Sequence, residues 1–180
     1  MELEKAIKER RSIRKYHKRA IPNSVIEELL GLARYAPSSM NGQPWHFIII
    51  KKDSAKKKLA SIKNRYCPEE KRMYRADFIR DAALIIVVCV DKERSFDREI
   101  ENGILASSII LFGAHSRGLG SVYLSAYSAD EPGISSEIRQ ILGIPSNVDP
   151  ISIIPLGYPD EKPKPKELRP LNDSIHHERF

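Results

Sequence analysis

Apolar positions along the chain fall into a helical period in some stretches and unbroken strand-length runs in others. Residues 2–9 place Leu3, Ala6 and Ile7 at helical spacing, which predicts a short amphipathic helix. A second helix follows. Ser24 and Glu27 stand as an S-x-x-E capping box, Ile26, Leu29, Leu30 and Ala33 keep the 3.6 period, and Pro37 ends it. "HFIIIKK" (46–52) reads as a β-branched strand, and Asp53 or Ser54 then caps a helix through about Arg65. Residues 66–80 are charged with scattered aromatics and weak periodicity, which predicts a lid or a surface helix. "ALIIVVCV" (83–90) is apolar throughout, as a strand covered on both faces would be. Residues 98–117 read as a helix whose apolar face is Ile100, Ile104, Leu111 and Ala114. Its small residues Gly103, Ala106, Ser107, Ser108 and Gly113 leave room for another helix. "GLGSVYL" (118–124) turns into a strand, with Gly118 as the helix's C′ residue. Residues 134–142 form a helix ending at Gly143, and "PISIIPLGYP" (150–159) is the last central strand.

Strands alternate with helices but are few, which indicates an α+β or three-layer α/β/α architecture in one domain spanning 1–180. The tail from 159 to 180 contains three prolines after Pro159 and almost no core residues. A tail of that kind is free in solvent or held by a partner. A second subunit that completes the fold is therefore expected.

Composition narrows the class. A hydrophobic content of 41% with 30% charged residues describes a globular chain. The longest apolar runs, 83–90 and 104–114, fall short of the roughly 18–20 residues that span a bilayer. The N-terminus has no apolar h-region, so a cytoplasmic protein is expected, without membrane contact. Cys67 and Cys89 have no partner at metal-ligand spacing; the first reads as an incidental thiol and the second as a small core residue. The net charge of +6 comes partly from "KKDSAKKK" (51–58), a solvated helix start, and partly from the denser "KERRSIRKYHKR" (8–19).

Two stretches carry candidate chemistry. Arg10, Arg11 and Arg14 with the hydroxyl of Ser12 lie within about one turn, and guanidinium forks bind phosphate bidentately. A solvated basic face would read the same way. "APSSMNGQPWHFIII" (36–50) packs Ser38, Ser39, Asn41 and Gln43 between a helix and a strand, where they could hold a polar ligand or make ordinary turns. Other chemistries find no support. "GAHSRGLG" (113–120) is neither a P-loop nor a dinucleotide fingerprint, and none of the five histidines has zinc-site spacing. There is no G-x-S-x-G. Tyr16 is the one aromatic inside the basic cluster, too little for nucleic acid. What remains is a protein whose cofactor would supply the reactive atoms.

Three segments together resemble the nitroreductase family of flavoproteins: "RRSIRKY", "APSSMNGQPWHF", and "GLGS" with "LGYP…KPKPKELRPL…IHHE". The resemblance implies a three-layer α/β/α fold with a mainly antiparallel central sheet, and a homodimer that exchanges its C-terminal tails. It implies that Arg10, Arg11, Ser12 and Arg14 meet the phosphate and ribityl chain of FMN, with Arg169 and Lys166 closing on the phosphate. Ser38, Ser39, Asn41 and Gln43 would reach the same flavin from the other subunit. Tyr123, Leu124 and Ser125 would bring backbone amides toward the ring, Asn64 would match a further flavin contact of the family, and residues 66–80 would form the lid. One departure is Ala83, where the family often has Pro before its buried strand. The implied activity is electron transfer from NADH or NADPH through FMN to a nitroaromatic, quinone or similar small acceptor, by a ping-pong mechanism. Alternatives are reductive dehalogenation or flavin cleavage on the same fold, an FMN-binding module without turnover, and a basic nucleic-acid-binding domain.

Overall fold

The computed structural model describes residues 2–69 and 75–180, and its centre is the strand nearest the C-terminus. In chain order the elements are α1 (Leu3–Glu9), β1 (Tyr16–His17), α2 (Asn23–Ala33), β2 (Trp45–Ile50) and α3 (Asp53–Arg65). Then come β3 (Leu84–Asp91), α4 (Lys92–Ser95), α5 (Glu99–Ser116), β4 (Gly120–Ser121), β5 (Leu124–Ser125), α6 (Gly133–Leu142) and β6 (Val148–Pro159). Single 3-10 turns cover Ser39–Asn41, Asp77–Asp81 and Leu171–Ser174. β6 pairs with β3 along one side, and β3 with β2; β1, β4 and β5 line its other side. All these pairings are antiparallel. A lone parallel bridge joins Ser12 to Ser121.

The apolar run in β3 is explained by its two covered faces. Leu84, Ile86 and Val88 point into a core shared with Ile26 and Leu29 of α2 and Ala106 and Ile110 of α5. Ile85, Val87 and Cys89 point into a second core with Leu59 and Ile62 of α3 and Ile138 of α6. Each fully buried aliphatic side chain contributes about 1.5–3 kcal/mol. The result is the expected α/β/α sandwich, a mainly antiparallel sheet between two helical layers. Between Val88 and Cys89 the register against β6 shifts from Ser152 to Pro150, leaving Ile151 as the extra residue of a bulge. The bulge presses Ile151 onto α5 at Gly103, where an added Cβ would lie 2.6 Å from the Ile151 side chain. Alongside, Ser107 donates to the Gly103 carbonyl (2.7 Å), so its 2.7 Å contact with Ser152 is donated by Ser152.

Several expectations are corrected. α2 begins at Asn23 behind Pro22, with no side-chain cap, so Ser24 and Glu27 do not form a capping box. Likewise α3 has Lys52 at its N-cap position, and Asp53 pairs instead with Lys56 (2.9 Å). On α5 the sheet-facing side is the small-residue face, with Gly103, Ala106, Ser107, Ile110, Gly113 and Ala114 buried. Ile100 and Ile104, read as core, are exposed. Leu3 and Ile7 of α1 are exposed too, and Ala6 alone of that face is buried. The strand expected over 118–124 is two short pieces, β4 and β5. The lid expected over 66–80 lies partly outside the described residues, at 70–74; its end is core, with Ala76 and Ile79 buried.

Candidate functional site

The basic segment 10–14 runs from the end of α1 along β4. The Ile13 N–H donates to the Ser121 carbonyl (3.1 Å), and Ser12 bridges Ser121. Arg11 is spent on the backbone: its guanidinium donates to the carbonyls of Lys8 (2.7 Å), Arg10 (2.8 Å) and Lys164 (3.3 Å), tethering the tail to α1. Arg10 is half-buried, and burial with Arg11 close by lowers its pKa. Arg14 is exposed, its guanidinium 5.9 Å from the centre of the Phe78 ring. The carboxylate of Glu161 accepts from the backbone N–H of Arg14 and of Lys15, so this turn already holds one oxyanion. Among the described residues, Arg10, Arg11 and Arg14 take part in no ion pair, although ten pairs form elsewhere.

The 38–43 loop is built on α5. The Asn102 Oδ1 accepts from the Ser39 N–H (3.0 Å), its Nδ2 donates to the Ser95 carbonyl (3.1 Å), and its backbone carbonyl accepts from the Trp45 indole (3.0 Å). The hydroxyl of Ser38 accepts from the Gln43 N–H (3.0 Å), and Arg94 donates to the Gly42 carbonyl (2.8 Å). Gly42 is needed, because a Cβ there would lie 2.0 Å from the Arg94 carbonyl oxygen. Met40, Asn41 and Gln43 all hold φ near +50°, sparsely populated for side-chain-bearing residues. Strain of this kind concentrates where a ligand is clamped. Asn41 and Gln43 are exposed, with their amides outward.

α5 keeps these two stretches apart. Asn102 carries the loop at one end, and His115 beside Arg11 lines a cavity at the other. Thirteen residues at about 1.5 Å each separate them by roughly 20 Å.

β5 lies on the same side as the basic segment. The Ser125 carbonyl accepts from Lys63 Nζ (2.8 Å), and the Ser125 hydroxyl accepts from the Tyr127 N–H (3.2 Å). Burial, with Tyr127 adjacent, pushes the Tyr123 phenol up to about 12. Burial also lowers the pKa of Lys63. Asn64 clamps the turn at residues 76–77: it accepts from the Ala76 N–H (2.7 Å) and donates to Asp77 (2.9 Å). Lys166 and Arg169 sit on the exposed tail and have no ion pair or hydrogen bond among the described residues. The fold thus gathers Arg10–Arg14, β4–β5 and Glu161–Lys164 and leaves the 38–43 loop at the other end of α5, while Lys166 and Arg169 follow on the exposed tail. Sequence reasoning missed Lys63, Asn102 and Glu161. Asn102 had a signal, being one amide in an otherwise apolar and small helical stretch. No group of His, Cys, Asp and Glu that could hold a metal occurs among the described residues, and no helix is long and apolar enough to cross a membrane.

The nitroreductase family model matches residues 7–158. The chain belongs to the nitroreductase family. It is 36% identical over its full length to a Methanothermobacter thermautotrophicus protein provisionally named NADH dehydrogenase/NAD(P)H nitroreductase, covering 88% of that protein. Its fold matches an FMN-dependent nitroreductase from Clostridium difficile R20291 at a TM-score of 0.85, with 30% identity over 97% of this chain and 98% of the other. A provisionally named nitroreductase from Desulfovibrio desulfuricans, solved in complex with FMN, matches at 0.83 with 25% identity, covering 100% and 98% of the two chains. Membership accounts for the three quoted segments occurring together in this order.

Proposed function

We propose that this nitroreductase-family protein is an FMN-dependent oxidoreductase that oxidises NADH or NADPH and reduces a small organic acceptor, working as a homodimer. The observation that carries the reading is the split site: a basic turn whose guanidinium groups form no ion pair among the described residues, with Glu161 on its backbone amides, at one end of α5 and a strained polar loop at the other. The donor set fits FMN. Arg10 and Arg14 would neutralise its phosphate, each charge-assisted bond contributing about 1.5–3 kcal/mol. Lys166 and Arg169, on the exposed tail, would close on the same phosphate. The backbone of Tyr123–Ser125 would face the ring, and Lys63, fixed on Ser125, would keep positive charge near it. Ser39, Asn41 and Gln43 would come from the second subunit, because about 20 Å separates them from the basic turn of their own chain.

FMN, when bound, would supply the redox chemistry between the nicotinamide and the acceptor. The chain's residues hold position and charge, and no general base is required of them. The reaction would be ping-pong, with the oxidised nicotinamide leaving before the acceptor enters.

The test is an absorbance spectrum of the purified protein before and after anaerobic NADH or NADPH. A flavin spectrum that bleaches is expected. A protein that takes up no FMN when it is added would overturn the reading, and a bound flavin that neither nucleotide bleaches would leave a binding module. Arg14→Ala and Arg169→Ala should weaken FMN retention; full flavin with lost turnover would overturn their assigned role.

A further inference from the structure

A cavity of about 610 Å³ shares no lining residue with the candidate flavin site. It opens between the segment after β1, the end of β2, the first turn of α3 and the turn leading into β3. Lys18, Arg19, Lys51, Lys56, Lys57 and Arg80 line it against two carboxylates, Asp53 and Asp81, an excess of four positive charges. We propose that this cavity is a second anion site, which binds an oligophosphate.

Four of the cations are fixed in its walls. Lys56 is buried, with its ammonium held 2.9 Å from the Ala82 carbonyl and 2.9 Å from Asp53. Lys51 donates to the Asn23 side chain (2.7 Å), and the Arg19 guanidinium stacks 4.0 Å from the centre of the Tyr158 ring. Arg80 pairs with Asp77, which lies outside the cavity. Lys18 and Lys57 form no ion pair among the described residues and are free to turn inward. Like charges held this close raise one another's energy, and an anion between them removes that cost. α3 adds to the field, since its N-terminus opens here without a capping side chain and orphan amides there favour an anion. Asp53 and Asp81 offset part of the charge but leave the balance positive.

The shape selects the ligand class. The volume falls in the range of small-molecule sites. The apolar lining is Ala20, Ala82 and Ala83, and the one ring among the lining residues is the imidazole of His17, which lies 3.4 Å from Asp160. Six cationic side chains dominate the polar lining, so the cavity reads phosphoryl charge first. An oligophosphate could be free pyrophosphate or the diphosphate of a nucleotide.

Calorimetric titration of the FMN-saturated protein with pyrophosphate and with ADP, at low and moderate salt, tests this. Both should bind, more weakly as salt rises. Lys57→Glu should weaken binding about tenfold or more, whereas Lys5→Glu, the same charge change on exposed α1, should leave it alone; FMN content should stay constant in both. Tighter binding of ADP than of pyrophosphate identifies a nucleotide as the source, and the reverse a free oligophosphate. No binding by the wild type overturns the proposal. Equal loss in the two variants also overturns it, because the attraction would then be that of the whole basic surface.

Discussion

Asn102 shows how much one side chain can organise. It is buried, and it connects the Ser39 amide, the Ser95 carbonyl and, through its backbone, the Trp45 indole. Removing it leaves the half-buried Ser39 N–H without its acceptor, while the Ser95 carbonyl keeps the Arg98 N–H, and the loss costs about 1–3 kcal/mol. Asn102→Ala should lower unfolding stability by that amount in denaturant melts and should loosen FMN as the loop relaxes. Unchanged flavin retention would show that the loop needs no such support. The polar loop itself was legible in sequence because Pro37, Gly42 and Pro44 exclude regular structure there. Asn102 was not, because a periodic reading discounts one amide on a helix of apolar and small residues. His115 is a second case. Its Nε2 is buried without a hydrogen-bond partner, and burial lowers its pKa below 6.5, aided by Arg10 and Arg11 and opposed by Glu9. The unfolded chain therefore takes the proton first as pH falls, so stability is full above about pH 6.5 and declines as pH drops toward the folded value. Between about pH 7.5 and pH 5 the melting temperature of the wild type should fall more than that of His115→Gln; parallel slopes would remove His115 from the account.

At the scale of elements, the long apolar runs were readable and the short strands were not. β3 and β6 announce themselves as unbroken apolar sequence with β-branched residues. β1, β4 and β5 are two residues each and exist through pairing with β6, which no local pattern encodes. The capping box misled for a similar reason. Pro22 fixes the entry to α2, and the first helical bond runs from the Ile26 N–H to the Pro22 carbonyl (3.3 Å), so Ser24 lies inside the first turn. Ser24→Ala should accordingly change stability by less than about 0.5 kcal/mol. Gly103→Ala should cost about 1–3 kcal/mol, because its methyl meets the bulged Ile151 between two rigid elements. Thermal or denaturant melts of the two variants check both statements. A costly Ser24→Ala would restore the capping role, and a neutral Gly103→Ala would mean that the bulge yields.

For the whole molecule, the misread face of α5 is the informative one. Ile100, Ile104 and Leu105 keep about two-fifths of their surface exposed (42%, 38% and 41%), on a helix whose opposite side is buried on the sheet. Leu3 and Ile7 of α1 are exposed as well, and so are Leu168, Leu171 and Ile175 of a tail that is tied to its own chain at Asp160, Glu161 and Lys164. Apolar side chains left in water on neighbouring elements are the kind of surface that interfaces between chains cover. The periodic pattern picked out the bulky apolar residues of the helix, whereas the small-residue face is the one that meets the sheet. A homodimer packed through α5 would cover this face, and it is also the arrangement in which one subunit's 38–43 loop could meet the other's basic turn across the roughly 20 Å that separates them within a chain. Ile104→Asp puts a charge on that face without touching either half of the site. It should give a folded monomer by light scattering and circular dichroism, and that monomer should lose FMN. A variant that stays dimeric would move the interface off α5. A monomer that keeps its full flavin would show that one chain suffices to build the site.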